Sequence, residues 1–325
     1  MGRVLFTSEH DLERSENLRA VWNAYDGEKD FVRGIWHMST APQDGYSVVV
    51  CDSLPAYMPD KRDCKSIVIG HGIEGGKLYA LDEKRSGIDK RAFWQIDVSV
   101  NASTKTVDIM QQMFGLPREK VATIGMPRSD AYIGKRKGDG GTVLADYQRA
   151  YLYVPTFRGP NDGDRLPRID WAKLDSMLDA DEVIAVKRHY FQRDPIVNMK
   201  LGRVIEFPND AASAPYLIDC DVLITDYSSI IFDGYLLGKP SVLTVDDMAA
   251  YMETRGMYLD YPYQYSSRWL CAEGNEEKLL EHMRAAFITG MRQTERSCID
   301  FVADMCDGHS SERVYSLIKE LACEC

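Results

Sequence analysis

Short apolar, β-prone runs recur along the chain, with longer stretches of helical spacing between them. In the first half they fall at residues 4–6, 47–51, 66–69, 96–100 and 121–124. In the second half they fall at 151–154, 183–186, 204–207, 222–225 and 241–244. Strands covered on both faces read as near-continuous apolar runs, because neither face meets water. The stretches 13–25 and 104–114 have helical periodicity. Strand alternating with helix predicts parallel sheets joined by right-handed crossovers, an α/β fold. Near the end, Asn275 precedes Glu276, Glu277 and an apolar stripe of Leu279, Leu280, Met283 and Phe287. Ser310 likewise precedes Val314, Leu317, Ile318 and Leu321. Each pattern predicts a capped helix docked by one face.

The segment 134–141, GKRKGDGG, is rich in glycine and charge and lacks apolar residues. It reads as a linker between two domains, 1–137 and 142–325, the second including the C-terminal helices, with a long surface loop as the alternative. A length of 325 residues fits about two domains. Two α/β halves predict two facing Rossmann-like domains with an interdomain cleft. Ligands of such sheets bind beyond the carboxyl ends of the strands.

Charge narrows the function classes. The chain has 39 Lys and Arg against 50 Asp and Glu, a formal net charge of −11. That balance argues against a nucleic-acid partner, which needs a basic face, and against a simple electrostatic grip on anionic lipid. No run approaches the roughly 18 apolar residues of a membrane span. Polar residues follow the first apolar run at once, so no signal peptide is expected and the expected location is cytoplasmic. The eight cysteines contain no CxxC pair and read as reduced thiols.

Candidate chemistry gathers where strands end. Thr225 closes an apolar run, and Asp226, Tyr227, Ser228 and Ser229 lead into a helix starting near Ile230. Free backbone N–H groups and two hydroxyls there suit an anion, but serine and aspartate also belong at helix N-caps whatever the function. Arg158 follows the run at 151–154, where its planar fork suits a phosphate or a nearby carboxylate. Lys187, Arg188 and His189 follow the run at 183–186, and successive side chains on a strand alternate, so at most one of the two cations faces a given ligand. His71 stands between Gly70 and Gly72 after another run; an imidazole there suits a general base, or simply a hydrogen bond to backbone. Arg128 closes a further strand end. Asp162 and Asp164 form a DxD pair in a polar loop, a weak metal signal. Cations at strand ends in an acidic protein point to a compact anion such as a nucleotide diphosphate.

These segments resemble the CDP-glycerol glycerophosphotransferases, which build teichoic-acid-type polymers. The stretch 223–233, LITDYSSIIFD, is close to a signature of that family, and VPTFR at 154–158 and GMPRSD at 125–130 also match. So do RGMY at 255–258 after the Asp246-Asp247 turn, DGHSSER at 307–313 and SENLRA at 15–20. The sequence departs from the family where Trp-His-Gly-Thr-Pro is usual: here it reads Gly70, His71, Gly72, Ile73, Glu74. The family's Pro-Gly pair is also missing from 261–270.

The resemblance implies a GT-B fold and transfer of glycerol phosphate, or another alditol phosphate, from a CDP donor to a hydroxyl, with release of CMP. His71 would be the base. His189, Arg158, Ser228, Ser229, Arg128 and Lys187 would bind the donor phosphates, supported by Gly72, Thr225 and Asp226. No divalent metal is obligatory and no metal ligand is assigned, with Mg²⁺ admitted as a helper. The implied partners are CDP-glycerol or a related CDP-alditol and a glycan or lipid-linked glycan acceptor. A lipid-linked acceptor would require peripheral contact with the inner face of the membrane. Two alternatives stand beside this: a GT-B glycosyltransferase using a nucleotide sugar, and a non-catalytic nucleotide-binding protein of the same fold.

Overall fold

The computed structural model describes residues 2–8, 10–33, 45–52, 64–70, 72–73, 76–77, 96–158, 166–189, 192 and 194–323. It divides into two compact units, residues 1–133 with 300–325, and residues 134–299.

The first unit is built on a parallel sheet of β1 (Arg3–Ser8), β2 (Lys29–Arg33), β3 (Tyr46–Cys51), β4 (Lys65–Val68), β5 (Val98–Asn101) and β6 (Val121–Thr123). Their order is β2-β1-β3-β4-β5-β6. Val4, Leu5 and Phe6 of β1 and Val48, Val49 and Val50 of β3 are fully buried, as their unbroken apolar runs require. The second unit carries β7 (Arg149–Val154), β8 (Glu182–Val186), β9 (Val204–Glu206), β10 (Val222–Thr225), β11 (Ser241–Thr244) and β12 (Trp269–Leu270), in the order β12-β11-β10-β7-β8-β9. Numbered within the unit, that is the 3-2-1-4-5-6 order of dinucleotide-binding sheets. The order reverses between β7 and β10, and the crevice beyond their carboxyl ends is where such sheets hold ligands.

All ten apolar runs are strands. Among the described residues the pattern misses two strands, β2 and β12, both at sheet edges. β2 has no fully buried residue, and β12 has only two residues.

The last helix corrects the expected division at 142–325. Ser310–Cys323 belongs with the first unit, where it packs on the helix Glu16–Ala24 and on β3 and β4. Val314 and Ile318 are completely buried there, each contributing roughly 1.5–3 kcal/mol. Asp130 caps it, accepting from the N–H groups of Ser310 (3.0 Å) and Ser311 (2.7 Å). Gly125, five residues earlier, has φ +86°, and a Cβ there would stand 2.5 Å from the carbonyl oxygen of Met305. The GMPRSD and DGHSSER stretches thus meet as a capped, close-packed corner.

The glycine-rich segment is part of the second unit. The buried carboxylate of Asp219 accepts from the N–H groups of Gly138 (2.8 Å), Gly140 (2.9 Å) and Thr142 (2.7 Å), and Lys137 pairs with Asp221 at 2.5 Å. Its glycines make tight turns around a carboxylate rather than a free tether.

Candidate functional site

At the carboxyl edge of the second sheet, the polar turns after β7, β10 and β11 are tied together. Asp226, after β10, accepts from the N–H of Thr156, after β7, at 2.8 Å, across the point where strand order reverses. The hydroxyl of Thr225 donates to the carbonyl oxygen of Val154 at 2.6 Å. Thr225 therefore joins two strands and Asp226 orients the turn.

Arg158 lies at the centre of this knot. Its side chain is only 6% exposed. Nε and Nη2 reach Asp247 at 2.7 and 3.1 Å, Nη2 also reaches Asp226 at 2.8 Å, and Nη1 donates to the carbonyl of Thr156 at 2.6 Å. Burial disfavours its charge, but Asp226 and Asp247 outweigh that and hold its pKa above the ordinary arginine value. Its guanidinium also lies over Tyr227 and Tyr251, which stack at 3.6 Å. Three hydrogen bonds, to Asp247 and the Thr156 carbonyl, and an ion-pair contact with Asp226 tie Arg158 to the protein's own oxygens, so it positions the turns. The sequence leaves carboxylate pairing open for this residue, and that is what the fold uses.

Lys187 is likewise tied to the protein's own oxygens. It is 4% exposed, and its ammonium donates to the carbonyl oxygens of Arg188 (3.1 Å) and Asn209 (2.9 Å). Those bonds brace the chain after β9. Arg188 faces Glu206 at 3.5 Å.

Ser228 and Ser229 remain half-buried beside this knot. The helix that follows, Ile230–Leu236, has Ser229 at its N-cap position without a side-chain capping bond. Ser228 Oγ meets the Ile230 N–H only at 3.5 Å. Capping therefore accounts poorly for two adjacent hydroxyls. Tyr227, the preceding residue, is buried and donates to Asp247 at 2.9 Å, fixing the turn from beneath. His189, after β8, is half-buried with its ring against Phe157 at 5.2 Å. The second unit thus gathers Phe157, His189, Ser228 and Ser229 around strand ends.

In the first unit, Arg128 lies beside Gly72. A Cβ on Gly72 would stand 3.0 Å from Arg128 Nη2, so glycine is what lets the guanidinium approach. Asn17 joins the two segments: it donates to the carbonyl oxygen of Gly70 at 3.0 Å and accepts from the Arg128 N–H at 2.9 Å. His71 itself lies outside the described residues, as do Asp162 and Asp164. Sequence reasoning missed Asp247, Phe157 and Asn17 as site-forming residues. Their signals are present: Asp247 follows a strand end, Phe157 sits within VPTFR, and Asn17 sits within SENLRA.

Residues 43–320 match the profile of CDP-glycerol:poly(glycerophosphate) glycerophosphotransferase. The chain belongs to this family. Among its relatives is the teichoic acid glycerol-phosphate primase of Bacillus subtilis (strain 168), 25% identical over 291 residues, which cover 84% of this chain and 74% of the primase. The teichoic acid ribitol-phosphate primase of Bacillus spizizenii is 28% identical over 254 residues, covering 71% of this chain and 63% of that protein. The solved structure of the wall teichoic acid polymerase TagF superposes with a TM-score of 0.77 at 19% identity, covering 99% of this chain and 90% of that one. At that identity the likeness speaks for the fold, and the two parallel six-stranded sheets with their helices are of the GT-B type.

Proposed function

We propose that this family member transfers glycerol phosphate, or a related alditol phosphate, from a CDP-activated donor to an acceptor hydroxyl in the synthesis of a teichoic-acid-like surface polymer. The acceptor oxygen attacks the distal phosphorus, the bond from that phosphorus to the bridging oxygen breaks, and CMP leaves with the electron pair. Such transfers depend on positioning and on stabilising charge, without a covalent intermediate. His71 is assigned to take the acceptor proton, with Arg128 beside Gly72. His189 and the hydroxyls and N–H groups of Ser228 and Ser229 are assigned to the donor diphosphate. The acceptor is a glycan or a lipid-linked glycan, the latter met at the inner face of the membrane. Among the described residues no helix is long and apolar enough to cross a membrane. The chemistry needs no obligatory metal; Mg²⁺ is a helper at most.

One observation carries this reading: two half-buried serine hydroxyls, with only a long 3.5 Å bond from the Ile230 N–H to Ser228 between them, stand at the strand-order reversal of a sheet with the 3-2-1-4-5-6 order, within the LITDYSSIIFD stretch. The test is a donor screen with CDP-glycerol, CDP-ribitol and UDP-sugars, following nucleotide release and the phosphorus content of the product. CMP release with a phosphodiester product is expected. UDP release with a phosphorus-free product would contradict it.

A further inference from the structure

His189 follows β8, and its ring lies against that of Phe157, which follows β7, with centroids 5.2 Å apart and planes inclined by 30°. A histidine side chain beyond a strand end has two soft torsions and holds one orientation only if its surroundings impose it. Phe157 is suited to impose one, because both of its chain neighbours are clamped. Thr156 gives its N–H to Asp226, and Arg158 is gripped by Asp226 and Asp247. Charge-assisted bonds of this kind are roughly twice as strong as neutral ones, so the backbone at 157 is fixed. The ring is held as well: the Arg255 guanidinium lies 5.6 Å from its centroid and 5.8 Å from that of Tyr251. A cation over an aromatic face is attracted by the ring quadrupole. The knot at the strand ends thus ends in a ring, and the ring ends against an imidazole.

We propose that Phe157 is a positioning residue for His189, and that Arg255 steadies Phe157 in that role. The inference rests on His189 acting at the donor diphosphate, as proposed above. The stack confines the imidazole to the orientation in which a ring nitrogen meets the phosphate oxygens during transfer. Loss of the ring therefore affects turnover more than donor capture, since misplacement of a group acting in the transition state costs rate.

Phe157→Leu keeps the apolar bulk and removes the ring. In protein labelled with ¹³C-histidine, with the His189 signal assigned from His189→Gln, the His189 Cε1–H resonance is expected to move as the ring-current contribution disappears. The kcat should fall about ten- to a hundredfold, with donor KM changing less than about threefold. Phe157→Tyr, which restores an aromatic ring, should recover both the resonance and the rate. Arg255→Gln, at the outer side of the stack, should move the same resonance by a smaller amount and serves if Phe157→Leu fails to fold. An unmoved His189 resonance in folded Phe157→Leu would overturn the inference, as would a moved resonance with wild-type kcat. Full turnover in His189→Ala would instead overturn the assignment of His189, and the inference with it; loss of turnover there with an unaffected Phe157→Leu would overturn the inference alone.

Discussion

Asp226 and Asp247 share one arginine, and that sharing separates residues that hold the site from residues left to meet a ligand. Arg158 and Lys187 both look, in sequence, like cations placed for phosphate. In the fold each is tied to the protein's own oxygens, and one partner of each stands well away along the chain: Asp247 is 89 residues from Arg158, and Asn209 is 22 from Lys187. Residue type and strand-end position were legible; the pairing was not, because it depends on which strands become neighbours. Lys187→Met tests the distinction. It removes two hydrogen bonds from a buried ammonium and should lower stability by about 1–3 kcal/mol by urea unfolding. CDP affinity of the folded variant should stay within about twofold of wild type, a free-energy change well under 1 kcal/mol. A loss of affinity tenfold or more would return Lys187 to the ligand. Asp247→Asn, by contrast, removes the charge facing Arg158 and should lower both stability and CDP affinity, read by the same two measurements.

The elements were the most legible level. The buried strands announce themselves as apolar runs because their sheets are covered on both faces. The edge strands β2 and β12 do not, since an edge needs only partial burial and here takes Lys29, Asp30 and Arg33 without penalty. The apolar stripe of the final helix shows that it must dock, but a stripe says nothing about which core receives it. The capping carboxylate that helps to select the first unit, Asp130, lies 180 residues before Ser310. Asp130→Ala should cost about 0.5–2 kcal/mol, the usual worth of an N-cap, and leave the first turn of Ser310–Cys323 poorly protected. Hydrogen exchange followed by mass spectrometry checks this: faster exchange confined to the peptides around 310–314 is expected, and unchanged exchange there would remove Asp130 as the cap.

At the scale of the whole molecule, a buried ion-pair cluster and the proposed donor site sit at opposite ends of the second sheet. Glu182 opens β8 and is fully buried, accepting from Tyr151 at 2.8 Å and from Arg284 at 3.0 and 2.5 Å, with Arg149 at 3.2 Å. Burial raises its pKa, but Arg284, the Asp179 N–H and Tyr151 together outweigh that and lower it to about 2. The folded value lies below the unfolded one, so this stabilisation is present above about pH 4.5 and is lost as the pH falls toward 2. The shift corresponds to at most about 3 kcal/mol. In Glu182→Gln, unfolding by urea should be easier at pH 7, and the fall in stability between pH 5 and 3 should flatten. His189 lies beyond the other end of β8, and the serine turn beyond that of β10, where the strand order reverses. That division of labour follows from topology, which no single motif encodes. In the proposed reaction the turn of Ser228 and Ser229 holds the diphosphate of a CDP-linked donor. Calorimetric titration of CDP into the Ser228→Ala/Ser229→Ala variant, shown by circular dichroism to be folded, tests it most directly. Each hydroxyl bond to a charged oxygen is worth roughly 1.5–3 kcal/mol, so CDP affinity should fall at least about tenfold. Wild-type CDP affinity in the folded variant would contradict the account.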